Sequence, residues 1–255
     1  MNTADLREYL VAARIAGPVA TSRADNLQAI RHLLLGDATN DGWLGVRPAR
    51  DYSFYDVLRI VSDRTGIIAD PAVTEGPDRI DPDLTLEAVE LVGRRLAQAA
   101  RGRERVFAGT GHPIGVSAIF GPALAALRRA GCTVLTPQLG LRVECDGGGR
   151  TLRYVDGVAL LSRHGFVRHS HSPLPMEALL GAGLAPDLVI GDHGWAGAAA
   201  TAGLDVVAFA DSNDPALFVA ADEGSASVVV PLDDNLRGRT YRPLTERLLA
   251  AIAAS

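Results

Sequence analysis

Two acidic clusters stand directly after hydrophobic runs in the C-terminal half of the chain. They are Gly-Asp-His-Gly-Trp at 191–195 and Asp-Ser-Asn-Asp-Pro at 211–215. Buried parallel strands end at one edge of a sheet, and open α/β proteins bind their ligands outside that edge. Carboxylate and amide oxygens suit a divalent cation, and through it a phosphate. The pattern therefore predicts a Mg²⁺ or Mn²⁺ site formed by Asp192, Asp211 and Asn213.

A glycine-rich turn, Ala-Gly-Thr-Gly-His-Pro at 108–113, follows another hydrophobic run. Glycines let the backbone approach an anion, and a following helix offers unpaired N–H groups at its N-terminus. Gly109, Thr110 and Gly111 are therefore candidates for binding the phosphate of a substrate, although glycines in such turns also serve packing. His112 could donate a proton or contact the phosphate, or it could simply be solvated.

Three of the six histidines lie close together in the segment Arg-His-Gly-Phe-Val-Arg-His-Ser-His. His169 and His171 alternate, so an extended segment would present both on one face, where they could bind one metal ion or one phosphate. Arg163 would add donors that match phosphate geometry. The alternative is a polar surface loop. His171, His112 and His193 are the candidates for proton transfer.

Each acidic residue also has a structural explanation. Asp192 could be a metal ligand, a nucleophile or a general base, but it could also cap the helix that follows. Asp214 precedes a proline, a combination typical of a helix start. We therefore predict that Asp214 is structural and that Asp211 is functional. A third acidic pair, Asp233 and Asp234, again follows an apolar run.

In the N-terminal half, three candidate substrate-binding residues, Arg14, Arg23 and Asn26, surround a predicted loop at 17–22. A helical layer that carries arginine could close over the crevice and bind the charged end of a substrate. The alternative is that these side chains are exposed charges of surface helices. The first interpretation predicts substrate contacts from all three.

The spacing of apolar residues indicates which elements position these side chains. Residues 1–103 have mainly helical periodicity. The second helix is predicted to start at Ser22 and to stop at Gly36, and residues 71–82 are read as a polar connection. The predicted helices lie near 6–13, 22–34, 53–63 and 84–100.

From residue 105 strands alternate with helices, which predicts a parallel, Rossmann-like sheet flanked by helices. The strand candidates are 106–108, 133–136, 158–161, 188–190, 206–209 and 228–230, and the helices between them include 118–130, 175–180, 196–202 and 215–221. Three glycines at 147–149 predict a hairpin between 141–144 and 151–154, a small antiparallel flap. The predicted fold is therefore α/β, with a mostly helical part at 1–103 and a Rossmann-like core at 104–255, together compatible with one compact domain.

Composition excludes several classes of function. The chain has 255 residues and a formal net charge of −5, which gives it no overall attraction to nucleic acid. All basic residues other than histidine are arginine, so Schiff-base and P-loop lysines are excluded. Two isolated cysteines exclude a cysteine-rich zinc site. The sequence shows no signal peptide and no membrane span, which predicts a cytoplasmic protein.

Six short motifs together resemble a family of actinobacterial proteins described simply as phosphatases. They are Arg-Ile-Ala-Gly at 14–17, Thr-Gly-His-Pro at 110–113, His-Ser-His-Ser-Pro at 169–173, Gly-Asp-His-Gly-Trp at 191–195, Asp-Pro-Ala-Leu-Phe at 214–218 and Val-Val-Pro-Leu-Asp-Asp at 229–234. The resemblance spans nearly the whole chain and implies a small-molecule phosphatase. The chain lacks the Asp-x-Asp-x-Thr signature of haloacid-dehalogenase-type phosphatases. The metal-dependent damage-control phosphatases are a looser analogue.

Our leading hypothesis is metal-assisted hydrolysis of a phosphate monoester, with the cation at Asp192 and Asp211. A direct aspartate nucleophile is an open alternative. Two other functions stay open: a non-catalytic module that binds a sugar phosphate or nucleotide, and a sugar-phosphate isomerase. The expected partner is a small phosphorylated substrate, not nucleic acid or a membrane, and association into a homo-oligomer is left open.

Overall fold

The computed structural model describes residues 1–35 and 41–254. Its strands, in chain order, are β1 Gly17–Ser22, β2 Pro77–Ile80, β3 Arg105–Gly109, β4 Thr133–Val134, β5 Arg142–Cys145, β6 Gly148–Val155, β7 Val158–Arg163, β8 Phe166–Arg168, β9 Leu188–Gly191, β10 Val206–Ala210 and β11 Val228–Pro231. Its helices are α1 Thr3–Ala12, α2 Arg23–Leu34, α3 Phe54–Thr65, α4 Pro82–Gly102, α5 Ser117–Arg129, α6 Leu174–Gly181, α7 His193–Thr201, α8 Pro215–Asp222 and α9 Arg242–Ala253.

A single large sheet forms the centre of the described structure. Its order is β11-β10-β9-β3-β7-β6-β5, with β4 also paired to β3 and β8 also paired to β7. The strands from β11 to β7 are mutually parallel, as is β4. β5, β6 and β8 run antiparallel to their neighbours. The predicted α/β fold with a parallel sheet and a small antiparallel flap is therefore confirmed.

The order of the strands reverses at β3. The chain leaves β3 through α5 toward β4 on one side, whereas β9, β10 and β11 are added in turn on the other side. Where strand order reverses, the loops that follow two adjacent parallel strands diverge to opposite faces and leave a crevice between them. The fold therefore places a crevice outside the carboxyl ends of β3 and β9.

Apolar layers cover both faces of the parallel strands. Along β3, Val106 and Ala108 pack into one layer and Phe107 into the other. Helices α1, α4, α5 and α9 contribute to the first layer, and α2, α3, α6, α7 and α8 to the second. Strands that are covered on both faces have continuous apolar sequences, and these apolar runs predicted the positions of the strands.

Both layers contain residues from before and after residue 103. The division of the chain at that point stays a prediction. Within the described ranges, no helix has the length and apolarity that crossing a membrane would require.

The N-terminal part contains an antiparallel strand pair that the sequence did not predict. β1 and β2 pair with each other where a loop and a polar connection were expected. Pro18 and Pro77 lack a backbone donor, and Gly17 adopts a positive φ of 76°. Residues of these types weaken a strand pattern, although they are compatible with short edge strands.

The start of α2 is as predicted. Ser22 caps it and forms a reciprocal capping box with Asp25. The helix ends at Leu34, and the predicted stop at Gly36 lies outside the described residues.

A buried charge network ties α2 to β2. The Arg23 guanidinium lies 3.3 Å from the Asp78 carboxylate, and both side chains are inaccessible to solvent. Asn26 donates to the same carboxylate at 3.0 Å. The backbone amides of Ile68 and Arg79 donate to its other oxygen at 3.1 and 3.0 Å. The charge of Asp78 is therefore fully compensated within the protein.

We expect Asp78→Ala to lower the free energy of unfolding by about 3–5 kcal/mol, because it leaves the buried guanidinium of Arg23 without its counter-charge. Urea denaturation followed by circular dichroism measures the loss. Arg59→Ala is the matched control, because it removes an exposed ion pair with Asp63 and should change stability much less. Equal effects of the two substitutions would contradict a stabilising role for the buried network.

Candidate active site

Polar side chains from five loops converge at the crevice. Four of the loops follow the parallel strands β3, β9, β10 and β11, and the fifth follows β8. β8 pairs with β7 just beyond the point where β3 ends, so the fifth loop lies against the loop after β3. The amide of Ser170 donates to the carbonyl of Gly111 at 3.2 Å and joins the two loops.

Asp192 anchors the loop that follows β3. Its side chain is fully buried and accepts hydrogen bonds from the Thr110 hydroxyl at 2.7 Å, the Gly111 amide at 2.6 Å and the His112 amide at 3.2 Å. Burial alone would raise the pKa of Asp192, but the side chain of His112, the charge of His193 and the amide of Gly111 keep it below its ordinary value. Asp192 is therefore an ionised positioning residue.

Asp192 lies where the sequence predicted it, directly after β9 and before α7. The side chain makes no capping hydrogen bond to α7, so it is not a helix cap. Both of its oxygens accept hydrogen bonds from the loop, and Asp192 is absent from every group of converging ligand atoms found in the described residues. Its role as a cation ligand stays a prediction.

The loop at Gly109, Thr110 and Gly111 stays the predicted phosphate cradle, but hydrogen bonds within the protein engage the amides of Thr110 and Gly111. The amide of Thr110 donates to the carbonyl of Ala159 at 2.9 Å, and the next two amides donate to Asp192. These N–H groups are therefore already used within the protein. A methyl group on Gly111 would lie 2.1 Å from the carbonyl oxygen of Ser170, and one on Gly109 would lie 2.5 Å from the Trp195 ring. Both glycines thus serve close packing.

Four histidines form a compact group above this loop. The ring centroids are 4.3 Å apart for His112 and His169, and 4.5 Å apart for His112 and His193. His171 lies 4.6 Å from His169 and 4.1 Å from His193. The structure therefore brings together all four histidines that the sequence proposed as site residues.

Their protonation differs strongly. His193 is buried, which by itself lowers its pKa, but Asp214 and Asp234, at 3.3 and 3.4 Å from Nε2, raise the pKa of His193 well above its ordinary value. Desolvation, followed by the charges of neighbouring imidazoles, lowers the pKa of His169 to about 3 and that of His171 to about 4. The group therefore combines an imidazolium at His193 with neutral imidazoles at His169 and His171.

Asp214 is the counter-ion of His193, which corrects its predicted structural role. It makes no side-chain capping bond to α8. Burial alone would raise the pKa of Asp214, but the His193 imidazolium lowers it below its ordinary value. His193 itself has a positive φ of 40°, a strained conformation for this residue type that the surrounding structure must maintain.

Three buried carboxylates form a second group beside the histidines. One oxygen from each of Asp211, Asp233 and Asp234 lies within 4.8 Å of the other two. The Thr21 hydroxyl donates to Asp211 at 2.5 Å, and the Ser212 amide donates to its other oxygen at 2.6 Å. Burial and the charge of Asp234 raise the pKa of Asp211. Burial and the charge of Asp214 raise the pKa of Asp234, although His193 acts in the opposite direction.

Asp234 links the two groups. Its Oδ2 is 3.3 Å from His112 Nδ1 and 3.4 Å from His193 Nε2. No aligned hydrogen bond reaches this oxygen from the described residues, so the contacts are electrostatic. Asp233 is held from the N-terminal part, because its amide donates to the carbonyl of Ile15 at 2.8 Å and its carboxylate accepts from the amide of Ala20 at 3.5 Å.

The other predicted site residues lie outside this centre. Arg23 and Asn26 belong to the buried network with Asp78 and are inaccessible to a substrate. Arg14 is exposed and donates to the carbonyl of Pro18. The Arg163 guanidinium lies over Gly148 in the flap.

Asn213 is exposed and lies at the edge of a cavity. This cavity of about 290 Å³ opens beside the histidines, between α2 and the start of α8. His171 and Asp214 form its inner wall, and Asp25, Gln28, Ala29, His32, Gly42, Leu44, Asn213 and Pro215 complete it. The cavity therefore adjoins the histidine group at His171 and Asp214.

Three residues of the site were not predicted from the sequence: Thr21, Asp233 and Asp234. Asp233 and Asp234 could have been predicted as site residues, because they follow a buried strand in the same way as Asp192 and Asp211. Thr21 could not, because its position depends on β1, which the sequence did not predict. Of the two predicted aspartate ligands, Asp211 belongs to a converging group among the described residues and Asp192 does not.

The chain is similar to known proteins over its whole length. A family model described as Phosphatase matches residues 1–255. Phosphatase SCO2771 of Streptomyces coelicolor is 44% identical over 254 residues, which covers 96% of this chain and 94% of that protein. The matched range therefore includes every loop that contributes to the crevice.

We expect Asp192→Asn to lower the free energy of unfolding by about 1–3 kcal/mol, because an NH₂ group would face the hydrogen-bond donors of the 110–112 loop. Thermal and chemical denaturation measure the effect. Asp156→Asn is the control, since Asp156 is exposed at a turn with a φ of 51° that also suits Asn. Wild-type stability in the Asp192 variant would mean that its carboxylate does not hold the loop.

Proposed function

Because the chain belongs to the Phosphatase family, we propose that it hydrolyses a phosphate monoester of a small molecule with a divalent cation held by Asp211, Asp233 and Asp234. The observation that carries this proposal is the convergence of these three carboxylates in a buried crevice at the reversal point of the sheet. Oxygen donors of this kind are the ligands that Mg²⁺ and Mn²⁺ prefer.

The electrostatics of the crevice support a requirement for a cation. Five buried aspartates surround it, Asp192, Asp211, Asp214, Asp233 and Asp234, and one histidine, His193, has a raised pKa. The pKa values of Asp192 and Asp214 are lowered, so both are ionised, and a phosphate dianion would meet buried negative charge unless a cation balanced it. The three arginines predicted to bind phosphate lie elsewhere, so a bound cation is the natural compensation.

Residues of the chain orient the carboxylates before any cation binds. Thr21 and the Ser212 amide each engage one oxygen of Asp211, which restricts rotation of the carboxylate. Outer hydrogen bonds of this type orient metal ligands and tune their affinity. When bound, the cation would polarise phosphoryl oxygens and lower the pKa of a coordinated water.

The histidines supply the groups for proton transfer and charge stabilisation. His112 is partly accessible, and the loop that Asp192 anchors holds its ring beside Asp234. It is therefore placed to give or accept a proton. The buried imidazolium of His193 provides a preorganised positive charge close to the carboxylates, where negative charge develops during phosphoryl transfer.

The cavity supports a small polar substrate. Its volume of about 290 Å³ is at the lower end of the range for ligand sites. Asp25, Gln28 and Asn213 line its outer part. Side chains of this kind can hydrogen-bond a hydroxylated leaving group, and His171 lies between that part and the centre.

We expect Asp211→Asn and Asp234→Asn to lower turnover by about a hundredfold or more, the scale of losing one catalytic electrostatic contact. The measurement is release of inorganic phosphate from a panel of phosphomonoesters, with Mg²⁺ or Mn²⁺ and after chelation. Asp63→Asn, which changes an exposed acid of α3, is the control and should retain wild-type turnover. Chelation should abolish activity, and either metal should restore it.

Undiminished turnover in the Asp211 variant, or in chelated wild-type protein, would refute the proposed cation site. Saturable binding of a phosphomonoester without phosphate release would instead support a binding module. Conversion to an isomeric phosphate would support an isomerase.

A further inference from the structure

The Nδ1 atom of His193 is a buried polar atom that the proposed reaction leaves unused. The side chain is almost entirely inaccessible, and within the described part of the chain Nδ1 has no hydrogen-bond partner. It faces Gly111, since a methyl group built on that glycine would approach it to 2.6 Å. An unpaired imidazole nitrogen in such a position is costly unless a ligand compensates it.

Two further imidazoles lie close to the His193 ring, with centroids 4.5 Å away for His112 and 5.3 Å away for His169. One ring nitrogen from each of His112, His169 and His193 lies within 4.8 Å of the other two. The residues come from three separate segments: the loop after β3, the loop after β8 and the first turn of α7. Distant segments have therefore been folded so that three nitrogen donors meet, and the Ser170–Gly111 hydrogen bond holds two of these segments together.

We propose that His112, His169 and His193 form a second metal site that takes a transition metal of the zinc class, such as Zn²⁺, Fe²⁺ or Co²⁺. The inference rests on the proposed function and makes the centre a two-metal one. Imidazole nitrogen suits these ions, whereas Mg²⁺ prefers oxygen. Three histidines with a remaining open position are typical of catalytic sites, since structural zinc sites use four protein ligands.

Metal binding at Nδ1 of His193 would displace the proton of that nitrogen and leave a neutral imidazole whose Nε2–H faces Asp214 and Asp234. In the two-metal centre His193 and His112 would therefore act as ligands, in place of the imidazolium and the proton-transfer group of the metal-free site.

Asp234 makes the two donor sets contiguous. It belongs to the carboxylate group, and its Oδ2 lies against a ring nitrogen of His112 and another of His193. Paired cations that share a carboxylate-rich site are a recurrent arrangement in enzymes that cleave phosphate esters. The chain thus offers a set of oxygen donors on one side of Asp234 and a set of nitrogen donors on the other.

The test uses metal-free full-length protein titrated with Co²⁺, with bound metal quantified after dialysis and the visible absorption spectrum recorded. Wild-type protein should bind two equivalents, and Mg²⁺ should displace only one. His169→Ala should weaken one equivalent by about tenfold or more, since even the loss of an outer-shell partner has that effect. It should also remove the absorption of nitrogen-coordinated Co²⁺.

His164→Ala is the matched control, because His164 is an exposed histidine at the turn between β7 and β8. This variant should keep both equivalents. His169 is exposed as well, so its replacement should leave the melting temperature unchanged, which verifies that the variant is folded.

The outcomes separate this inference from the proposed function. One equivalent in wild-type protein, lost in Asp211→Asn and retained in His169→Ala, would overturn the histidine site and leave the carboxylate site standing. Two equivalents with the expected His169 dependence would support the histidine site even if no phosphomonoester were hydrolysed. Equal binding by His169→Ala and wild-type protein would overturn it in either case.

Discussion

The carboxylate of Asp192 is the point on which the crevice depends. It follows β9, yet it accepts three hydrogen bonds from the loop that follows β3. That loop carries His112, and its Gly111 carbonyl accepts the hydrogen bond from Ser170 that positions the segment with His169 and His171. One buried anion at the reversal point of the sheet therefore orders the histidine side of the centre, while Thr21 and Ser212 order the carboxylate side.

The parallel sheet could be predicted from the sequence because its central strands β3, β9 and β10 are apolar on both faces. The segments 188–190 and 206–209 extend by a residue at most to give β9 and β10. β1 and β2 were missed because short edge strands with proline and glycine carry no such pattern. Arg23 was read as a surface or substrate-binding charge, since its partner Asp78 is 55 residues away along the chain and local periodicity contains no information about that pairing.

The position of the centre was more predictable than the role of each residue in it. Acidic residues after buried strands indicated the correct edge of the sheet, and the four histidines proposed as site residues do meet there. The distribution of roles among Asp192, Asp211, Asp214 and the pair at 233–234 depends on which loops touch. Asp214 illustrates this. It directly precedes α8, as its sequence predicts, but its carboxylate pairs with His193 instead of capping the helix.

The carboxylate side of the crevice joins segments from near the two ends of the described chain. Ile15, Ala20 and Thr21 hold Asp211 and Asp233, which lie about two hundred positions later. Contacts of such long sequence separation form late in folding, because loop closure must precede them. During synthesis on the ribosome the N-terminal segment must therefore wait for β10 and β11 to emerge, and a partly made chain has no complete crevice.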